Sequence, residues 1–288
     1  MALHESLEGF LRVATRSGLR GPVALIVLED MVEVDTTLRH HLDLGFRTVV
    51  AFGVEDIRVN PNIEPQIERV IFDVSIDNAL SQIVNGVAKA APGQWIYYCF
   101  NAEYLFFPFC EHRSVSEMIG FCTEERRESV LTYVVDLYAD DLRQHPTAVS
   151  LDHAHLDKSG YYALARKTAE DTVAERQLDF FGGLRWRYEE HIPAPRRRID
   201  RVSLFRAKPG LTFREDHTLS EPEYNTYACP WHHSLTATVC SFRTAKALKR
   251  NPGSSHQINS FMWHNSAPFE WHSQQLLNLG LMEPGQWF

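Results

Sequence analysis

Three short, almost wholly apolar segments in the first half of the chain constrain its fold more than any other feature. They read VALIVL (23–28), RTVVAF (47–52) and WIYYCF (95–100), and segments with helical spacing of apolar residues separate them. Strands that are apolar on both sides are typical of parallel sheets, because helices cover both faces of such sheets. Strands that alternate with helices predict a wound α/β sheet with right-handed crossovers.

The other expected elements follow from periodicity and from helix-capping residues. The first half is expected to contain helices over 3–14, 35–44 and 78–91, a strand within 54–77, a short helix after Ser114 and a strand over 130–139. The second half, which is less regular, is expected to contain a helix over 159–176, strands at RVSLFRA and TATVCSF, and helices over 244–250 and 269–279. We therefore divide the chain into an N-terminal helix (1–22) and two halves of one domain, 23–145 and 146–288.

Composition excludes several classes of protein. No apolar run reaches the roughly 18 residues that a membrane-spanning helix needs, and the charged first twenty residues do not resemble a secretory signal. Five cysteines without paired spacing favour a reduced, cytoplasmic chain. The net charge of −8 counts against a general nucleic-acid binder.

Positive charge is concentrated in one part of the sequence. Residues 185–250 contain thirteen Lys and Arg against seven Asp and Glu. Such a segment in an acidic protein suits a localised anion, such as a phosphate or a lipid head group, and the alternative is a solvated surface face. Arginines of the N-terminal helix also allow a peripheral membrane contact, although we prefer to interpret this helix as a cap on the body.

Candidate site residues follow from position and from residue type. Wound sheets bind ligands outside the carboxyl ends of their strands, so the loops after Leu28, Phe52 and Phe100 are the places to search, and Glu29 opens the first. In the second half, the pair Gly182-Gly183 precedes Arg185, whose guanidinium suits phosphate oxygens. The alternative for this segment is a plain turn.

Proton transfer and sugar binding have candidates of their own. Asp216 and, second, His217 could accept a proton from a substrate hydroxyl, and the alternative is a solvated polar loop. Aromatic rings pack on the apolar faces of sugars while polar neighbours bind the hydroxyls, which suggests an acceptor site. Its candidates are Trp231, His232, Trp263 and Trp271, and the alternative is a Trp-rich core.

Several motifs, in order, resemble a branch of glycosyltransferase family 2. TLRHHLDLGFRTVVAF, WIYYCFNAEYLFFP, FFGGLRWR, FRAKPGL, DHT and TVCSFR follow the order and rough spacing of that branch over about residues 25–245. The resemblance implies a GT-A fold, in which a Rossmann-like sheet binds a nucleotide-sugar donor and an irregular C-terminal half binds the acceptor. It also implies donor-binding roles for Glu103, Gly182, Gly183, Arg185 and Arg243.

The chain departs from this family at the metal site. Alignment on Trp95 and on the Glu-Tyr-Leu run places Phe100 and Ala102 where the family has two metal-binding aspartates, and Ser241 where it has a late histidine. We therefore expect no metal and no other cofactor, with arginines meeting the charge of the phosphates. In the alternative register, Asn101 and Glu103 would hold a divalent cation weakly.

A metal hydrolase is the weaker interpretation of the fourteen histidines. The best cluster for it combines His153 and His155 with Asp152 and Asp157 in LDHAHLDKSG. No H-E-x-x-H helix accompanies it, so we interpret this segment as a polar loop.

The resemblance implies a glycosyltransferase that moves a sugar from a nucleotide-sugar donor to a glycan or lipid-linked acceptor, here without a metal ion. The resemblance implies a role in bacterial envelope polysaccharide synthesis in the cytoplasm, at the inner face of the membrane. The alternative is a non-catalytic relative that binds carbohydrate or nucleotide and has lost the ion site.

Overall fold

Two units, interleaved along the chain, make up the part of the protein that the computed structural model describes, residues 3–287. The first unit comprises the described residues through Tyr104, together with His112–Leu131 and Val202–Asn225. The second unit comprises Leu105–Glu111, Thr132–Arg201 and the described residues from Thr226 onward.

The strands are β1 (Leu3–His4), β2 (Val23–Val27), β3 (Thr48–Gly53), β4 (Glu68–Ile71), β5 (Trp95–Phe100), β6 (Glu103–Phe106), β7 (Ser129–Asp136), β8 (Tyr138–Ala139), β9 (Ala154–Asp157), β10 (Tyr162–Lys167), β11 (Val173–Phe181), β12 (Asp200–Arg206), β13 (Ala237–Ser241) and β14 (Ser266–Pro268). The α-helices are α1 (Leu7–Ser17), α2 (Val34–Asp43), α3 (Ala79–Ala90), α4 (Val115–Glu124), α5 (Gly183–Arg187), α6 (Arg243–Arg250), α7 (Pro252–Ser255) and α8 (Ser273–Asn278).

A large mixed sheet forms the first unit. Six of its strands follow in the order β1-β4-β3-β2-β5-β12. Neighbours among the first five are parallel, with Leu25 of β2 paired to Val50 of β3 and to Tyr98 of β5. Strand β12 runs antiparallel to β5. The structure thus confirms the predicted α/β class with a wound sheet.

Helices cover both faces of this sheet, which explains why β2, β3 and β5 are buried at every position. Phe10 of α1 contacts Phe52 on one face, with ring centroids 5.9 Å apart. His41 of α2 stacks on Tyr97 on the other face, at 5.2 Å. Strand residues point alternately to the two faces, so a strand covered on both sides must be apolar throughout.

The second unit is built from shorter pieces. Strands β7 and β13 are parallel, and Asp136 pairs with Ser241 at their carboxyl ends. Strands β14, β9 and β8 form a three-stranded antiparallel sheet, and β10 and β11 form a two-stranded hairpin. Tyr138 and Phe261 belong to a buried apolar cluster that also includes residues of α5 and α6.

The predicted helix over 159–176 is wrong, because this segment forms the hairpin β10–β11. Its Ala, Leu, Arg and Lys residues favour a helix locally, but such propensities are weak compared with tertiary pairing. Asp171, in the left-handed conformation (φ +59°), lies in the turn, where Thr168 donates to the carbonyl of Thr172. Arg166 then binds Asp179 across the two strands at 2.7 Å.

Two further expectations need correction. The strand predicted over 130–139 is two strands, β7 and β8. The segment interpreted as a polar loop contains the strand β9, which ends at the buried Asp157. In both cases the strands pair with strands from other parts of the sequence, and the local sequence pattern does not indicate these partners.

Most other expected elements are present within a few residues of their predicted bounds. They include α1, α2, α3, β12, β13, α6 and α8. The capping box at the start of α4 is confirmed, because Ser114 and Glu117 each accept from the other's backbone N–H. Within residues 3–287, no helix has the length and apolar character needed to cross a bilayer.

His41 is a buried histidine whose surroundings keep it neutral. Burial, together with the neighbouring His40, lowers its pKa to about 3. Its Nδ1 lies 2.8 Å from the carbonyl of Thr37, which can only accept, so Nδ1 carries the proton.

We expect this histidine to weaken the fold in acid. The unfolded chain binds a proton at His41 below about pH 6.5 whereas the folded chain does not, so stability falls as the pH falls from about 6.5 towards 3. The contribution is up to about 1.4 kcal/mol per pH unit. Urea denaturation between pH 7 and 4.5 should show a shallower pH dependence for His41→Phe than for the wild type.

Replacement of the exposed His112 by Gln provides the matched control, and this variant should keep the wild-type slope. Identical slopes for His41→Phe and the wild type would contradict this prediction.

Candidate functional site

The first unit has a topological switch point between β2 and β5. Strand β2 lies between β3 and β5. From the carboxyl end of β2 the chain continues to β3 on one side, and it later returns to form β5 on the other side of β2. Loops at the carboxyl ends of such neighbouring strands diverge and leave a crevice, which is where open α/β sheets bind ligands. At this point the two loops begin at Leu28 and at Asn101.

Asn101 joins these two loops. Its backbone N–H donates to Val27 (3.0 Å), and its Oδ1 accepts from the N–H of Glu29 (2.8 Å). Its Nδ2 donates to Oδ1 of Asp30 (2.7 Å) and to the carbonyl of Val32 (2.8 Å). Asn101 itself is fully buried, and its partners lie in the more exposed segment after β2. Asn101 therefore ties the two loops of the switch point together.

Positions 100 and 102, on either side of Asn101, present no side-chain ligand for a metal ion. Phe100 carries an apolar ring, and Ala102, in the left-handed conformation (φ +61°), carries only a methyl group. The Ala102 N–H donates to Oγ1 of Thr37 (2.9 Å), and the Phe100 N–H donates to Oε2 of Glu103 (3.0 Å). Glu103 is fully buried, and this carboxylate oxygen is directed at its own turn.

Carboxylates surround the β2 side of the crevice. Glu29 is exposed and Asp30 is half-buried. Glu33, at the start of α2, accepts at 2.7 Å from Thr36, whose hydroxyl also contacts the Tyr104 hydroxyl at 2.8 Å. Burial raises the pKa of Tyr104 above its usual range, so this phenol stays protonated. Carboxylates and hydroxyls of this kind suit the hydroxyl groups of a ligand better than its phosphates.

The alternative cation site at Asn101 and Glu103 does not fit this geometry. The Asn101 amide oxygen is directed at the backbone N–H of Glu29, and Oε2 of Glu103 is directed at the N–H of Phe100. Across residues 3–287 there is no group of three or more His, Cys, Asp or Glu side chains placed to hold a metal ion.

Asp216 and His217 also lie in the first unit, in a loop after β12. Asp216 is exposed, and its Oδ1 accepts from the N–H (3.1 Å) and the hydroxyl (2.6 Å) of Thr218. His217 is half-buried and stacks on Tyr98, with the tyrosine hydroxyl 2.9 Å from its Nδ1. The two neighbouring side chains thus have different surroundings, one in solvent and one against β5.

Arg185 in the second unit is held by protein groups. Its side chain is largely buried, with Nε 3.5 Å from Oδ1 of Asp136 and 3.2 Å from the Thr244 hydroxyl, and its Nη1 donates to the carbonyl of Arg198 (2.7 Å). Burial raises the pKa of the Asp136 carboxyl, and the Arg185 charge opposes this shift. A role for Arg185 at a donor phosphate remains a prediction.

The two glycines before Arg185 allow close packing. A Cβ at Gly182 would lie 2.2 Å from the ring of Tyr161, and a Cβ at Gly183 would lie 3.0 Å from Oδ2 of Asp136. Gly183 also has φ +61°, which favours glycine. The Gly-Gly pair therefore brings the chain against a buried carboxylate.

Asp157 is the centre of a second buried cluster in this unit. Its carboxylate accepts from Nε1 of Trp263 (2.7 Å), from Arg187 (3.0 Å) and from the Tyr138 hydroxyl (2.5 Å). The guanidinium of Arg187 stacks over Trp263, 4.6 Å from the ring centroid. Trp263 thus binds protein groups on the ring face and at its N–H.

The remaining candidates have separate surroundings. The Trp271 Nε1–H donates to the carbonyl of Leu151 (3.0 Å), and its ring packs on Phe106 and Phe269. Trp231 is 88% exposed, and the neighbouring His232 lies beside Cys229. Arg243 begins α6 and is half-buried.

The structure brings Glu29 together with the segment around Asn101, and it brings Gly182, Gly183 and Arg185 together around Asp136. Sequence reasoning missed both Asp136 and the central role of Asn101. The sequence does indicate Asp136 as a candidate, because this residue ends the apolar run VLTYVVD and therefore lies at the carboxyl end of a strand. No local signal marked the pairing of Asp157 with Arg187, which joins residues 30 positions apart.

Comparisons with known proteins add no family assignment. No protein-family model matches the chain, and no curated protein matches it.

The burial of Arg185 predicts a structural cost for its removal. Replacement of one partner in a buried ion pair leaves the other charge uncompensated, which typically costs about 3–5 kcal/mol. We expect Arg185→Ala to lower the free energy of unfolding by about that amount in urea denaturation. The exposed Arg196→Ala is the matched control, for which a change within about 0.5 kcal/mol is expected. Equal stability of the two variants would contradict the prediction.

Proposed function

We propose that the protein is a glycosyltransferase of the GT-A type, which moves a sugar from a nucleotide-sugar donor to a glycan or lipid-linked acceptor. The observation that carries the proposal is the switch point between β2 and β5, where hydrogen bonds join the loops of Glu29–Asp30 and Asn101. The order of the sequence motifs supports it, because the same segment aligns with the donor-binding motif of glycosyltransferase family 2. This proposal keeps the cytoplasmic role in envelope polysaccharide synthesis that the resemblance implies.

The exposed Glu29 carboxylate at this switch point suits the sugar hydroxyls of a nucleotide. Glu29 is exposed at the carboxyl end of β2, while its backbone N–H is fixed by Asn101. A carboxylate held on a fixed backbone can accept hydrogen bonds from a ligand's hydroxyl groups. We therefore assign donor binding to the loop that begins at Glu29.

Proton removal is assigned to Asp216. In the reaction, the acceptor oxygen bonds to the anomeric carbon, the bond to the nucleoside diphosphate breaks, and the hydroxyl proton passes to a base. Asp216 is exposed and oriented by Thr218, whereas His217 stacks on Tyr98. An oriented carboxylate within reach of the hydroxyl can contribute about 10²–10⁴-fold to the rate.

The phosphates are expected to be neutralised without a metal ion. The side chains of Phe100 and Ala102 have no ligating atoms, and the Asn101 amide oxygen accepts a backbone N–H. A role for Arg243 at a donor phosphate remains a prediction of the sequence resemblance, since arginine binds phosphate oxygens in pairs.

A non-catalytic binding protein is the second candidate. The loss of side-chain ligands at positions 100 and 102 favours it, as does the enclosure of Arg185 by protein groups. Such a protein would bind nucleotide sugars at the same crevice and release no nucleotide.

The first test is donor binding. We expect Glu29→Gln to weaken nucleotide-sugar binding at least about tenfold by calorimetry, because it removes the charge from a hydrogen-bond acceptor. Glu8→Gln, an exposed carboxylate on α1, is the matched control and should bind as the wild type does. If no nucleotide sugar from a uridine, guanosine, cytidine and thymidine panel binds the wild type, the proposal fails.

The second test is turnover, measured as nucleotide release from the same panel in the presence of candidate acceptors. Asp216→Asn should abolish release and keep donor binding, since the asparagine Oδ1 can still accept from Thr218. Binding without release in the wild type would favour the non-catalytic protein. Full turnover by Asp216→Asn would mean that the base lies elsewhere.

The third test is chelation. Nucleotide release should persist in EDTA, because positions 100 and 102 provide no metal ligands. Complete loss in EDTA that Mn²⁺ restores would overturn the metal-independent mechanism.

A further inference from the structure

The five cysteines have very different surroundings. Cys99, Cys122 and Cys240 are buried, and Cys110 and Cys229 are partly exposed. Burial raises the pKa of Cys122 and of Cys110 to about 12. The Cys110 thiol also donates to the carboxylate of Glu111 at 3.5 Å. Surroundings of this kind keep a thiol protonated and poorly reactive.

Cys229 lies at the start of a tight turn with the sequence Cys-Pro-Trp-His. Its backbone N–H donates to the carbonyl of His232 (3.1 Å), and the preceding Ala228 forms an antiparallel bridge with His233. Proline is favoured at the second position of such a turn, where Pro230 lies. Residues that face each other across an antiparallel pair point to the same side, so Cys229 and His232 meet.

The thiol and the imidazole are in contact. Sγ of Cys229 is 3.1 Å from Nδ1 of His232 and 3.7 Å from its Nε2. A cysteine beside a histidine is the arrangement in which the imidazole takes the thiol proton and leaves a nucleophilic thiolate.

The pair is partly exposed, since neither Cys229 nor His232 is buried. Trp231 at the tip of the turn is 88% exposed. Arg176 donates from Nη1 to the carbonyl of Ala228 (3.0 Å), and its charge is paired with Glu175 at 3.3 Å. The ring of His233 packs edge-on against Tyr227. A small reagent can therefore reach the turn from solvent.

We propose that Cys229 is a modification site, a nucleophilic thiol activated by His232 that exchanges with small-molecule disulfides. His232 takes the thiol proton, and the Cys229 sulfur attacks one sulfur of the disulfide. The original S–S bond breaks as the new one forms, and the released thiolate takes the proton from the imidazolium. Cysteine is oxidised to a mixed disulfide while half of the reagent is reduced to a thiol.

The test uses the native full-length chain with a limiting amount of the aromatic disulfide DTNB at pH 7, followed by peptide mapping. We expect the fastest phase of the DTNB reaction to modify Cys229 and to be absent in Cys229→Ser. His232→Asn should slow this phase at least about tenfold, because it removes the proton acceptor. His233→Asn is the matched control and should react at the wild-type rate.

Thermal unfolding of each variant verifies that the reaction rates are compared in folded protein. In urea, the fast reaction of Cys229 should become indistinguishable from the reaction of the other cysteines. A fast phase at Cys110, or an unchanged rate in folded His232→Asn, would overturn the proposal. The readout is independent of glycosyl transfer.

Discussion

The side chain of Asn101 ties together the two loops at the switch point of the first unit. Neighbouring strands β2 and β5 send their loops in different directions, and backbone groups in such loops lose their sheet partners. One buried amide satisfies the Glu29 N–H and the Val32 carbonyl and also binds the Asp30 carboxylate. Removal of this amide would leave the partly buried Glu29 N–H and Val32 carbonyl without this partner, which explains why an asparagine rather than an apolar residue follows β5.

Buried carboxylates organise the second unit. Asp136 lies against Arg185, Asp157 binds Arg187, and Asp200 binds Arg166. Burial raises the pKa of Asp136 and of Asp200, and the arginine charges oppose this shift. The positive charge counted over residues 185–250 is thus partly internal, since Arg185 and Arg187 neutralise aspartates within the fold. The same contacts explain the Gly-Gly pair, because a side chain at Gly183 would approach Asp136.

The proposed function rests on the first unit, and the modification site rests on a turn of the second. The crevice offers carboxylates and a fixed backbone, which suit hydroxyl-rich ligands. The turn at Cys229 offers a partly exposed thiol in contact with an imidazole. The two sites use different chemistry, so each can be tested without the other.

The sequence by itself determined the α/β class, the buried parallel strands and the capped helix α4, because periodicity and capping act between residues close in the chain. It also placed Glu29 at a strand's carboxyl end. Only the tertiary structure decided that 159–176 forms a hairpin, that Asn101 bridges two loops and that Arg185 and Arg187 turn inward to aspartates. Those outcomes depend on partners up to about seventy residues away, and local preferences are too weak to determine such long-range pairings.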